Sequence, residues 1–193
     1  MFTGIVETMG KVVEVASDKT NKHFRIGSSI SHELKVDQSV SHNGVCLTVT
    51  KVEGGSHWVT AIDETLQKSN LGSLLPSQLI NLERCMKADG RFEGHIVQGH
   101  VDGTATCESI IDQNGSYAIR FGVKGSGLIV EKGSICINGV SLTCFNVKPY
   151  SFEVAIIPYT WNHTTFGQLA VGDSVNLEFD IIGKYVQAML SRR

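Results

Sequence analysis

No stretch of the 193 residues holds the roughly 18 consecutive apolar residues that would span a bilayer. The opening Met1-Phe-Thr-Gly-Ile-Val6 and the residues after it lack the basic-then-apolar pattern of a secretory signal, so the chain is expected in the cytosol. An excess of positive charge is missing too: 17 Lys and Arg stand against 19 Asp and Glu, a formal net charge of −2. Without a basic field to neutralise phosphates or an anionic surface, nucleic acid and membrane are excluded as expected partners. Cys46, Cys85, Cys107, Cys136 and Cys144 are odd in number and scattered, with no C-x-x-C pair and no histidines paired nearby. That spacing excludes a disulfide framework and a structural zinc site, leaving free and mostly buried thiols. What remains, 41% hydrophobic and 19% charged, is the composition of a folded globular protein.

The informative feature is an internal repeat. His42-Asn-Gly-Val-Cys-Leu-Thr-Val49 recurs 95 residues later as Ile137-Asn-Gly-Val-Ser-Leu-Thr-Cys144. The same offset pairs Gly4-Ile-Val6 with Gly99-His-Val101, Arg25 with Arg120, Thr65 with Thr160, Gly72 with Gly167, and Asn81-Leu-Glu83 with Asn176-Leu-Glu178. A unit of this length is too long for a solenoid repeat and suits a small self-sufficient domain. Residues 1–93 and 94–180 are therefore expected as two domains, with the polar, glycine-containing Lys87–Gly94 as the linker between them.

Within each unit the runs are short, β-branched and punctuated by Gly and Ser: Lys11–Val15, Ser39-Val40, Cys46–Val52, His57–Ile62 and Leu79–Glu83. About six such strands per unit predict an all-β chain of two tandem small closed barrels, which leave no long exposed edge. Thr65–Leu71 and Thr160–Phe166 read as short helices capped by Gly72 and Gly167. Ile182, Tyr185, Val186 and Met189 fall at i, i+3, i+4 and i+7, predicting an amphipathic helix near Ile181–Ser191 that has no counterpart in the first unit. Its apolar stripe must be covered by a barrel or by another subunit.

Met1–Val6, the paired Asn-Gly-Val-Cys/Ser-Leu-Thr segments, Gly94-His-Ile-Val-Gln-Gly-His-Val-Asp-Gly103 and Glu64-Thr-Leu together resemble the riboflavin synthase family, from Met1 through the carboxyl-terminal helix. The resemblance implies two six-stranded Greek-key barrels in a homotrimer held largely by residues 181–193, with a possible association with lumazine synthase. It also implies a dismutation of two 6,7-dimethyl-8-ribityllumazine molecules, without metal or redox cofactor. Two homologous barrels suit such a reaction, because two copies of one ligand must meet face to face.

By the same resemblance the first pocket uses Cys46, Leu47, Thr48 and the stretch Thr60, Ala61, Ile62, Asp63, Glu64, Thr65, joined by Gly99, His100 and Val101. The second uses Ser141, Leu142, Thr143 and the stretch Ile157, Pro158, Tyr159, Thr160, Trp161, Asn162, joined by Gly4, Ile5 and Val6. Lys132 is expected to touch a ligand held by a neighbouring subunit, and Asp180, whose counterpart is Cys85, to contribute near the site. The halves differ where Cys46 opposes Ser141 and Ile5 opposes His100. His100 is either a proton carrier or a strand histidine satisfied by its neighbours. Cys46 is a small wall residue, or acts as a thiolate if its pKa is lowered. Ser141 is expected to hydrogen-bond the ligand. Thr48 and Thr143 are pocket groups or outward-facing strand threonines. Asn43-Gly44, Asn138-Gly139, Asn81 and Glu83 read as structural, and His42, His57, His95 and His163 as structural or solvent-facing. Phe2 and Thr3 are expected to order the amino terminus over a pocket. The competing reading is a lumazine-carrying protein of the same fold that catalyses nothing, and the intact motifs in both halves speak against it. A flavin-reductase arrangement would need a nucleotide-binding domain with a glycine-rich strand-to-helix turn, which the sequence lacks.

Overall fold

The computed structural model describes residues 1–125 and 127–191. The first six strands are β1 (Thr8–Asp18), β2 (Asn21–Gly27), β3 (Ser39–His42), β4 (Val45–Glu53), β5 (Ser56–Ala61) and β6 (Leu79–Arg84). The second set is β7 (Gly103–Asp112), β8 (Tyr117–Gly122), β9 (Ser134–Ile137), β10 (Val140–Lys148), β11 (Ser151–Ile156) and β12 (Ser174–Phe179). Each set closes into an antiparallel barrel, in the orders β1-β2-β5-β4-β3-β6 and β7-β8-β11-β10-β9-β12. Consecutive hairpins β3-β4-β5 with β2 beside β5 form a Greek key, repeated as β9-β10-β11 with β8. Strand alternation explains the interiors: Val45, Leu47 and Val49 of β4 point inward while Thr48 and Thr50 face out. Fifteen buried side chains, Phe24, Ile26, Val49 and Leu82 among them, fill the first barrel, and Phe121, Ile137, Phe152 and Val175 belong to the matching second core.

At their Asn-Gly hairpins the barrels meet through polar turns. Asn43 (φ 48°) and Gly44 (φ 81°) form the left-handed pair of a type I′ hairpin, and Asn138 (φ 46°) and Gly139 (φ 81°) repeat it. The turns touch: a Cβ on Gly44 would lie 2.8 Å from the Gly139 nitrogen. The Asn81 amide donates to Asn138 O at 2.9 Å and the Asn176 amide to Asn43 O at 2.8 Å, so each barrel satisfies the other's turn.

The short helices are α1 (Asp63–Lys68) and α2 (Pro158–His163), each followed by a 3-10 turn, Asn70–Ser73 and Thr165–Gln168. Gly72 and Gly167 are therefore not helix caps. They lie inside the 3-10 turns, where a Cβ would meet Leu66 O at 3.0 Å and Trp161 O at 2.8 Å, so glycine is required by close approach. Ser69 and Thr164 end the helices in extended conformation, their hydroxyls accepting from Leu71 and Phe166 N–H. The amphipathic tail is α3 (Ile181–Leu190), N-capped by Asp180, whose carboxylate accepts Ile182 N–H at 3.0 Å. The Lys87–Gly94 stretch is strand-free, yet beyond it the chain is pinned, His95 N–H donating to Thr3 O at 3.1 Å.

Candidate functional site

Two segments outside the barrels shape the site. Phe2 and Val97, repeat counterparts, pair as an isolated antiparallel bridge, with Phe2 N–H to Val97 O at 2.7 Å and Val97 N–H to Phe2 O at 3.1 Å. Both are fully buried with Cys136, in a small third cluster against which Cys46 packs. From this bridge the chains diverge. Gly4 O accepts Ser141 N–H of β10 at 2.8 Å, and Gly99 O accepts Cys46 N–H of β4 at 2.8 Å. Both glycines have positive φ, 76° and 81°, and a Cβ would lie 2.7 Å from Ser141 Cβ or 2.5 Å from Cys46 Cβ. Val6 then packs against the second core and Val101 against the first. Each half of the chain thus lends a strap to the other barrel.

Beside the first barrel a cavity of about 290 Å³ is lined by Val45, Cys46, Glu64, Thr65, Lys68, Ser69, Gly99, His100 and Val101. Beside the second, a cavity of about 490 Å³ has Lys132, Ser141, Leu142, Thr143, Ile157 and Thr160 in its wall, with Gly94 and Phe145. The second lies well inside the range of about 300–1,000 Å³ usual for small-molecule sites, and the first at its lower edge. A larger groove of about 550 Å³ runs past Ile5, Ser39 and Arg84. There Arg84 is neutralised by Glu7 at 2.8 Å and Glu33 at 2.7 Å, and that pairing holds the Glu33 carboxyl below the usual range.

Several expected residues do not line either cavity. Ala61 is wholly buried in the first core and Leu47 nearly so, while Thr48 faces outward. Thr60 bonds His23 through its hydroxyl at 2.8 Å, Ile62 is the exposed N-cap of α1, and Asp63 accepts from Gln67 at 2.7 Å. In the second half Pro158 opens α2, Tyr159 stacks on His163 at 4.1 Å, Trp161 stacks on Tyr117 at 3.9 Å, and Asn162 is exposed. The helical turns bring one face of each stretch to the cavity, which Thr65 and Thr160 share by repeat. Ile5 is exposed on the rim of the larger groove, and Lys132 (φ 62°) lies over the Phe145 ring at 5.7 Å in the wall of its own chain's second cavity.

The electrostatics separate the two cavities. Burial pushes the Cys46 thiol up, outweighing the hydrogen bond from Ser39 that lowers it. The thiolate condition is therefore not met, and Cys46 enters the first cavity as a neutral thiol. His100 is exposed there with no side-chain partner among the described residues. In the second cavity Ser141 is not alone. The His95 Nδ1 lies 2.7 Å from its hydroxyl, half-buried, its pKa lowered by burial against the opposing pull of Asp180. Sequence reasoning assigned His95 no role, since one histidine before Ile-Val-Gln-Gly gives no sign that the strap will fold it onto Ser141. Glu83, read as structural, and its repeat counterpart Glu178 hold the straps: Glu83 accepts from Thr3 and Gly4, and Glu178 from Gln98, Gly99 and His100.

The lumazine-binding domain model matches residues 3–85 and again 98–180. Over 196 residues the chain is 39% identical to the riboflavin synthase of Actinobacillus pleuropneumoniae, covering all of this chain and 91% of that one. This chain belongs to the riboflavin synthase family. The riboflavin synthase of Mycobacterium tuberculosis is 40% identical over 198 residues, covering 98% of each chain. That of Saccharomyces cerevisiae is 38% identical over 205 residues, covering 98% of this chain and 86% of that one. As a member of this family the chain is an enzyme. Among solved structures, LumP complexed with 6,7-dimethyl-8-(1'-D-ribityl) lumazine superposes with a TM-score of 0.85 at 21% identity, covering 92% of this chain and 98% of that one. LumP complexed with riboflavin gives 0.85 at 22% identity, covering 93% and 99%. At that identity the likeness is one of fold.

Proposed function

We propose that the chain catalyses the dismutation of two 6,7-dimethyl-8-ribityllumazine molecules to riboflavin and 5-amino-6-ribitylaminouracil, four carbons passing from one to the other. The products together hold all the atoms of the substrates, so the reaction as written calls for no oxidant or reductant. The observation that carries this reading is that both halves keep a cavity beside a strand that a crossing strap is bonded to, with different groups in each: Cys46 and His100 in one, Ser141 with His95 in the other. A transfer between two copies of one molecule needs two related sites that differ, so that one holds the donor and the other the acceptor. His100, without a side-chain partner among the described residues, is the group assigned to take a proton from the donor's methyl, and Ser141 the hydroxyl that bonds the ligand. Thr65 and Thr160 offer hydroxyls to the ribityl chain, and Lys132 serves a ligand shared with a neighbouring subunit.

The assembly assigned to the chain is a homotrimer in the cytosol, able to associate with lumazine synthase. Its support is α3, on which Ile182, Tyr185, Val186, Met189 and Leu190 are all more than half exposed in the single chain. The units assigned are 1–93, 94–180 and the tail 181–193, whose helix is α3.

The test is to incubate the purified protein anaerobically, with chelator, with 6,7-dimethyl-8-ribityllumazine and follow both products. Equimolar riboflavin and pyrimidine are expected. The LumP likeness supports a second reading, a protein that holds lumazine without converting it. Tight fluorescent binding with no product would establish that one instead.

A further inference from the structure

We propose that Glu83 and Glu178 are positioning residues, each holding a strap against the opposite barrel: Glu178 sets the strap that lines the first cavity, and Glu83 the strap that is bonded to Ser141 in the wall of the second. The inference rests on the lumazine-binding reading above, in that the pockets it concerns are those two. Glu83 lies on β6 of the first barrel and is 5% exposed. One of its oxygens accepts Thr3 N–H at 2.7 Å and the Thr3 hydroxyl at 2.9 Å, and the other accepts Gly4 N–H at 3.0 Å. The next contact crosses over, because Gly4 O takes the Ser141 N–H of the second barrel. Glu178 on β12, 3% exposed, mirrors it. It accepts Gln98 N–H at 2.7 Å, Gly99 N–H at 2.9 Å and His100 N–H at 2.9 Å, while Gly99 O takes Cys46 N–H of the first barrel.

A buried carboxylate is a costly way to close a barrel, and burial pushes the pKa of both acids up. The backbone supplies the reason. Each strap runs in a left-handed glycine conformation outside any sheet, so its successive N–H groups converge on one point and would be orphaned if that point were apolar. Only an acceptor with several lone pairs satisfies them all, and the ionised form does so most strongly. Glutamine cannot, since its NH2 must face at least one strap N–H. Held this way, the strap sets where Gly99 and His100 stand over the first cavity and where Gly4 stands against Ser141. A simple barrel closure would act on the glutamate's own barrel, whereas a positioning role acts on the other one.

The experiment uses the full chain with E178Q and E83Q made singly. Amide hydrogen exchange is resolved at Cys46 and Ser141, and 6,7-dimethyl-8-ribityllumazine is titrated by fluorescence. E178Q is expected to speed exchange at Cys46 about tenfold, the effect of weakening one charge-assisted bond network, and to leave Ser141 unchanged. It should also weaken one class of binding site and spare the other. E83Q should show the reverse pattern. Both amides accelerating together, or acceleration confined to the barrel that carries the substitution, overturns the proposal. So does the crossed exchange pattern with both binding sites unaltered. Should E178Q fail to fold, Gly99→Ala displaces the same strap from Cys46 while keeping the carboxylate, and must give the same exchange at Cys46. Wild-type protein that takes up no lumazine would count against the proposed function, and the exchange pattern would still decide the strap assignment.

Discussion

Ser141 gains its chemistry from a partner 46 positions earlier in the chain. With His95 Nδ1 at 2.7 Å, the serine hydroxyl and the imidazole act as one unit, so their losses should not add. Ser141→Ala and His95→Phe are each expected to lower turnover about tenfold, and the double variant no further than either alone, which a double-mutant cycle on kcat/KM measures. His100 is a different case. Exposed and without a side-chain partner among the described residues, it contributes little to the fold. His100→Ala should lower kcat substantially while lumazine affinity stays nearly unchanged, and unchanged turnover would remove it from the mechanism.

A third histidine effect concerns stability. His42 Nδ1–H donates to Val40 O, its Nε2 accepts from His57 Nε2–H at 2.9 Å, and His57 Nδ1 accepts the Ser31 hydroxyl at 2.9 Å, a chain that two neutral rings complete and that protonating both would break, Nε2–H then facing Nε2–H. Burial, with the charge of His57 adding to it, takes His42 from 6.5 down to about 3, and burial takes His57 down to about 4. The unfolded chain therefore binds protons that the folded one refuses. This pair's stabilising effect is complete above the unfolded value of 6.5 and is lost as the pH falls from there, toward about 4 for His57 and about 3 for His42. The raised Glu83 and Glu178 act in the opposite sense. The pair is therefore best isolated by an NMR titration, in which both rings should stay neutral from about pH 8 to about pH 5.

At the scale of elements the two Asn-Gly hairpins carry the most. Gly44 needs φ 81° and sits against the Gly139 backbone, so Gly44→Ala combines a left-handed strain with a collision between backbones. A loss of about 2–3 kcal/mol is expected, read as a fall in the urea midpoint with unchanged m. The hairpins, the strands and the tail helix were legible because their signals are local: alternation, Asn-Gly, and an apolar stripe at helical spacing. The short helices were placed two residues late at their starts, and their glycines were taken for caps. What Gly72 and Gly167 avoid is a carbonyl of the preceding helix, met through the fold of the turn, and composition does not report it.

Over the whole molecule the offset of 95 residues becomes a pseudo-twofold axis, passing between Phe2 and Val97 and between Gly44 and Gly139. The tail α3 breaks that symmetry and carries its apolar face uncovered. Replacing Tyr185 and Val186 together by Glu should leave the barrels folded by circular dichroism and reduce the sedimenting species to a single chain, if α3 holds the assembly.

By itself the sequence determined the number of barrels, their strands and the family, because a duplication preserves polar and glycine motifs at fixed spacing whatever the surface drifts to. The tertiary structure alone decided which residues meet: Cys46 is kept a thiol, His95 lies on Ser141, and two buried glutamates hold straps across the axis. These are contacts between positions tens of residues apart. The energies that select them, desolvation and the pairing of backbone donors, depend on burial that only the closed barrels create.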